Sequence, residues 1–216
     1  MIHLLLTLCL LTLPLMASAA PQFAVEVGGS QIWIGYEDEF DGSDPAATFG
    51  FNAAATAQFD LAGSWGLSAG LRYSQLGDEI KYEDVRSPSD PSAESGPATT
   101  TTQYQYLGVP VVIRWSMPGD TAPFLFGGTE LAYLLKYTTE FEFDDGTGST
   151  GKREFTDSLN RFNMTAIVGA GVAIGMGEHK LDASIRYAHG LIDTTKLDQW
   201  FPRRTREFAV TLGFRF

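Results

Sequence analysis

Cysteine is nearly absent: the 216 residues contain one, Cys9. A lone cysteine excludes a disulfide framework and any zinc site built from cysteines of a single chain. Basic residues are scarce too, with 15 Lys+Arg against 26 Asp+Glu and a formal net charge of −11. Such a chain lacks the positive surface that non-specific nucleic-acid binding requires. Of its few histidines, His179 and His189 fall at opposite ends of one predicted strand, too far apart to share a metal. Beyond the N-terminus no run of about 18 apolar residues occurs, so no transmembrane helix is predicted.

What is present begins with residues 1–19, a Leu-rich stretch ending Ala17-Ser18-Ala19. Its length and small terminal residues match a secretory leader with an A-x-A cleavage site, although its start carries only His3 and no Lys or Arg. Cleavage after Ala19 leaves Ala20 first, whereas cleavage one residue later would expose Pro21. Cys9 leaves with the leader, and bulky Leu8 before it excludes a lipid-attachment site there. The mature chain is read as one domain, 20–216.

That domain is rich in glycine (23) and aromatics (12%), with a mean hydropathy near zero. A membrane-spanning barrel has this average, because its strands alternate lipid-facing and lumen-facing residues. The alternation is clearest at the end, where Phe208, Val210, Leu212, Phe214 and Phe216 share one face and Glu207, Ala209, Thr211, Gly213 and Arg215 the other. It recurs in 107–115, 125–137, 162–175 and 181–188, and earlier in 49–61 and 65–82. The first strand, about 23–36, is least regular, and Gly28-Gly29 is read as a bulge that resets its phase. Eight strands result. Between them, short turns near 62–64, 118–122 and 177–179 alternate strictly with long polar loops near 37–47, 83–101, 144–159 and 192–203.

An up-and-down barrel places all short turns at one rim and all long loops at the other, as outer-membrane barrels do. A soluble sandwich or lipocalin has no reason to sort them, and a lipocalin turns its apolar face inward. Here the polar face carries Arg72, Arg114, Glu130, Lys136, Arg186, Glu207 and Arg215. Eight strands leave a lumen just wide enough for side chains, so these charges are expected to pair within it. Trp65, Trp115 and Phe216 fall at the short-turn rim and suit an aromatic girdle, with Trp33, Tyr73, Tyr137 and Tyr187 as an outer one. The fold expected is an eight-stranded antiparallel up-and-down transmembrane β-barrel with a filled lumen, short periplasmic turns and long extracellular loops.

The segment 106–115, YLGVPVVIRW, resembles the Y-L-x-I-P-L-x-x-K-Y strand of small PorT-like outer-membrane β-barrel proteins. The run 123–135, PFLFGGTELAYLL, is similar to that family's next strand, and Gly169-Ala170-Gly171-Val172 with 186–191 resembles its last hairpin. Gly108 stands where an acidic residue is common, and Trp115 replaces a frequent Tyr. The terminal Phe216, with Phe208, Val210, Leu212 and Phe214 at alternate positions, resembles the signal read by the barrel-assembly machinery. The resemblance implies the cell outer membrane and a non-enzymatic envelope role, with a founding member tied to protein secretion. It carries over no catalytic residue.

Other motifs yield to simpler readings. Gly146 to Lys152 matches G-x-x-x-x-G-K, but Arg153 replaces the magnesium-binding Ser/Thr and acidic residues flank the loop, which would repel phosphate. The glycines 169, 171 and 175 have the wrong spacing for a dinucleotide site and precede no helix. A lipid-A hydrolase would need a nucleophile beside His189, and Leu191 stands two positions on. The acidic groups in the long loops match no calcium loop. Expected are no cofactor, no metal and no catalytic residue. The expected partners are outer-membrane lipid or lipopolysaccharide, the barrel-assembly machinery and a protein at the extracellular loops, with the chain itself a monomer. A lipid-A-modifying hydrolase and a small pore are the alternatives. Sequencing the N-terminus of protein extracted from membranes should begin at Ala20; a start at Met1 would refute the leader.

Overall fold

The computed structural model describes residues 20–36, 43–85, 96–143, 150–154, 156, 159–192 and 203–216. The leader, the first part of the 146–152 glycine loop and most of the long loops lie outside the described residues. Nine strands follow in order: β1 Gln22–Tyr36, β2 Ser43–Asp60, β3 Trp65–Val85, β4 Gly96–Ser116, β5 Thr121–Phe143, β6 Thr150–Glu154, β7 Phe162–Met176, β8 His179–Gly190 and β9 Arg203–Arg215. All are antiparallel to their neighbours. Eight of them, all but β6, close into a barrel, with β4 pairing β5 at one seam and β1 pairing β9 at another. Closure gives every barrel strand a hydrogen-bonding neighbour on both sides, the condition for a sheet to cross a bilayer.

The last residue helps to complete the ring. Phe216 and Phe23 exchange backbone hydrogen bonds of 2.9 and 3.2 Å. The three short turns each contain a glycine with positive φ, Gly63 at 69°, Gly119 at 131° and Gly177 at 71°, a conformation that costs other residues most. In the part of the barrel nearer the short turns the alternation holds. Val25, Leu71, Val111, Leu125, Val168, Ile185 and Val210 stand exposed on the outside; Asn52, Arg72, Glu130, Arg186 and Thr211 are buried within.

Three expectations need correction. No bulge lies at Gly28-Gly29: β1 keeps unbroken register with both β2 and β9. Gly28 is instead a close-contact site, where a Cβ would strike the Val210 carbonyl oxygen. Second, the loop expected at 83–101 is shorter. The threonines 99–102 pair with 79–81 and Asp78 of β3, because β-branched residues favour extended backbone even in a low-complexity run. Third, part of the loop expected at 144–159 is strand: β6 pairs residues 150–154 with 138–142 of β5.

Glycines of β7 seat aromatic rings. Phe124 is registered opposite Gly171 and Phe126 opposite Gly169, and a Cβ on either glycine would enter the facing ring. An aromatic laid over a cross-strand glycine shields its backbone and pins register. Gly169→Leu should therefore destabilise the barrel by about 1–3 kcal/mol through overpacking. Gly29→Ala, with only a carbonyl at 4.0 Å near the new Cβ, should change stability by no more than about 0.5 kcal/mol. Urea titration of the heat-modifiable gel band measures both.

Candidate functional site

Inward-facing side chains of eight strands converge on one narrow lumen, and charge fills its middle. Toward the short-turn end, Asp182 of β8 accepts from Arg114 of β4 at 2.8 and 3.4 Å and from Arg215 of β9 at 2.5 Å. The Arg114 guanidinium lies 3.5 Å from the centre of the Phe124 ring, a cation–π contact, and its Nε donates to Ser116 Oγ at 2.9 Å. Farther in, Glu130 of β5 binds Arg72 at 2.7 Å and lies 3.7 Å from Arg186. Arg186 also holds Glu207 at 2.5 Å, and Arg72 approaches Glu26 at 3.9 Å. Thr56 donates to Glu26.

Six of the seven predicted lumen residues meet in this way: Arg72, Arg114, Glu130, Arg186, Glu207 and Arg215. Two members, Glu26 and Asp182, were outside that set, although period two signals both: Glu26 shares its face with Ala24 and Gly28, Asp182 with Ser184 and Arg186. With them the interior holds the four arginines 72, 114, 186 and 215 and the four acids 26, 130, 182 and 207. The lumen ion-pair network is neutral. Neutrality matters because an unpaired charge removed from water costs far more than a barrel's margin of stability. Arginine suits the task, offering several donors in a planar fork to more than one carboxylate. Gly108 leaves room for this: a Cβ there would meet the Glu130 carboxylate.

Lys136 does not join the network. The β4–β5 pairing slips between Gln105 and Tyr106, making Leu135 an extra residue. One inserted residue reverses the face of everything beyond it. Leu134 is fully buried, whereas Lys136 is half-exposed and 3.6 Å from Glu154. Tyr137, expected in the outer girdle, packs inside against Tyr104 with ring centroids 4.9 Å apart.

Above the charges sits an apolar plug of Ile32, Leu76, Tyr104, Tyr106, Ala132, Leu134 and Leu159. Between plug and network remains a cavity of about 20 Å³, and a second of about 60 Å³ adjoins Glu26, Arg72 and Arg114. At the short-turn mouth a hollow of about 200 Å³ is lined by Gln58, Ser64, Lys180 and Arg215. Outside, Trp65 and Trp115 are register partners near the turns, and Phe216 stacks on Phe214. His189 faces out, its Nδ1 3.5 Å from the Tyr187 hydroxyl and its cross-strand partners Ala166 and Arg206. Neither partner is a nucleophile. No cluster of metal-ligating side chains occurs among the described residues.

Sequence comparison decides the family: the outer membrane protein beta-barrel domain matches residues 14–196. The chain belongs to that family, and its barrel resides in the outer membrane. No curated protein matches the chain significantly. Among solved structures, Ail of Yersinia pestis, in complex with the heparin analogue sucrose octasulfate, is 16% identical with a TM-score of 0.40, covering 92% of this chain and 100% of its own. Neisserial surface protein A is 15% identical, TM-score 0.41, covering 90% and 97%. OprG from Pseudomonas aeruginosa is 12% identical, TM-score 0.45, covering 91% and 96%. At these values the similarities transfer no ligand and no activity.

The network makes one residue of this family member decisive for stability. Glu130→Ala leaves Arg72 with only the 3.9 Å approach to Glu26 and one arginine charge in excess of the lumen carboxylates, and should cost about 3–5 kcal/mol. Lys136→Ala, outside, should cost no more than about 1 kcal/mol. Equilibrium unfolding in detergent with urea separates the two.

Proposed function

We propose that this protein is a monomeric, non-enzymatic outer-membrane anchor that presents a raised sheet to a protein partner outside the cell. One observation carries the reading. The barrel wall is lopsided: pairing of β5 with β7 ends at Tyr133, yet pairing of β5 with β4 continues to Phe143. β3 and β4 have 21 residues each and β5 has 23, against 15 and 12 for β7 and β8. A tilted strand needs only about 9–11 residues to cross the hydrocarbon. The excess builds a sheet from β2 to β6 that stands above the bilayer at the long-loop rim. A projecting sheet offers ordered surface and strand edges, which recognition by strand addition uses.

The filled lumen supports anchoring over conduction, since the ion-pair network and the apolar plug lie in series across it. Trp65, Trp115 and Phe216 serve as the periplasmic interfacial girdle. The alternate residues 208 to 216 serve as the assembly signal, in keeping with the PorT-like resemblance. Adhesion, envelope anchoring and accessory work in secretion all use such a surface.

The reading is tested by placing a photo-crosslinking amino acid at Glu140 or Lys152 on the sheet, and at lipid-facing Leu131 as a control, in cells that carry the protein natively. A discrete protein adduct from 140 or 152 but not 131 is expected. Adducts from none, or equally from 131, would refute it. Planar bilayers with the purified barrel should show no stepwise conductance.

A further inference from the structure

The charges of the lumen balance in sum but not in place. Toward the short turns, Arg114 and Arg215 share the one carboxylate of Asp182, at 2.8 and 2.5 Å. Deeper in, Arg72 and Arg186 meet Glu130, Arg186 holds Glu207, and Glu26 approaches Arg72 at 3.9 Å. Two arginines thus stand on one acid at the short-turn end, and two arginines on three acids beyond it. The short-turn end is the positive pole of the barrel. Lys180 adds to it. It is the register partner of Arg215 on the inward face and stands exposed at the mouth, with no ion pair among the described residues. Like charges directly opposite on a sheet repel, and elsewhere in this lumen arginine is answered by acid.

The positive pole opens on the hollow of about 200 Å³ at the short-turn mouth. Residues of β2, β3 and β4 wall it on one side, Lys180 and Arg215 on the other. Ala122, Phe124 and Ala173 fill a different part of the lumen at this end, and Gly66, registered opposite Arg114, puts no side chain into the space. Arg215 is only 7% exposed, and its Nε is buried without a hydrogen-bond partner, a costly state for a charged donor. Arg72 and Arg186 also leave an Nε unpartnered, but each leans on two carboxylates. They border cavities of about 60 and 20 Å³, with room for little more than water. Of the three, Arg215 borders a space that admits a small organic molecule. The rim of that space is apolar, with Trp65, Met117 and Pro118.

We propose that the short-turn mouth binds a small organic carboxylate, its charged end against Arg215 and Lys180 and its apolar end toward Trp65 and Met117. The charge count selects a monoanion. Arg114, Lys180 and Arg215 exceed Asp182 and the wall residue Asp60 by one charge, which a carboxylate balances and a phosphate dianion oversteps. A guanidinium fork and an ammonium together satisfy both carboxylate oxygens. Apolar walls around a few placed polar groups are the usual make-up of a small-molecule site, and the apolar rim favours an organic acid over an inorganic ion. With the short turns in the periplasm, the ligand is a solute of that compartment. The site uses neither the raised sheet nor a partner outside the cell, so it stands or falls apart from the proposed function.

The test is a nuclear magnetic resonance titration of the full-length mature protein, isotope-labelled and folded in detergent micelles. The probes are sodium butyrate, its neutral analogue butyramide, and sodium chloride and sodium phosphate at matched ionic strength. Butyrate should move the backbone amide signals of Gly66, Ser116 and Lys180 and the Nε–H signal of Arg215 together and to saturation. Butyramide and chloride should leave them in place, and phosphate should bind more weakly than butyrate. Lys180→Ala, an exposed change outside the ion pairs, should weaken butyrate about fivefold. Asp60→Asn should tighten it about twofold. No saturable shift in the wild type, or an equal response to butyramide or chloride, overturns the proposal whether or not the variants fold. So does a folded Lys180→Ala that keeps the wild-type affinity. Phosphate that binds more tightly than butyrate overturns the assignment to an organic monoanion.

Discussion

A backbone that crosses lipid must satisfy every N–H and C=O within itself, because the hydrocarbon offers no partner. In this chain the requirement is met by closure: β1 and β9 pair along their lengths, and the terminal Phe216 locks onto Phe23. Closure with eight strands fixes the width of the lumen, and that width dictates the rest. Too narrow for a water column once side chains enter, it must be packed like a core, though strand alternation has already assigned it the polar residues. The neutral set of four arginines and four carboxylates reconciles those demands.

Packing such a lumen also uses residues that carry no charge. Gly169 and Gly171 give the rings of Phe126 and Phe124 somewhere to lie. Gly108 does the same for the Glu130 side chain. The high glycine content is thus a counterpart of the large lumen side chains. Toward the long loops charge gives way to apolar and aromatic packing around Leu134, which fills the barrel there. The outside follows a different rule, set by the solvent: it is apolar where it meets hydrocarbon.

Much of this was legible in the residues. Period two located every membrane-crossing strand, because the faces of a bilayer strand meet media of opposite polarity. Period two also put Arg72, Arg114, Glu130, Arg186, Glu207 and Arg215 inside. What it misplaced shares one cause. Lys136 and Tyr137 were assigned by continuing the phase of β5, and the extra residue at Leu135 exchanged their faces. Nothing in the local sequence marks that bulge, since a register slip is a relation between two strands. Glu26 was overlooked for a milder reason: β1 breaks its apolar face with Gly29 and Gln31, so its period is faint.

By itself, then, the sequence determined the class of fold and most of its lumen, since each follows from the period of a strand and the polarity of its two sides. Tertiary structure alone decided which arginine meets which carboxylate, that the lumen charges balance, and that β3, β4 and β5 pair well beyond the ends of β7 and β8. These depend on register and shear, relations between strands far apart in the chain, which no single strand's pattern encodes.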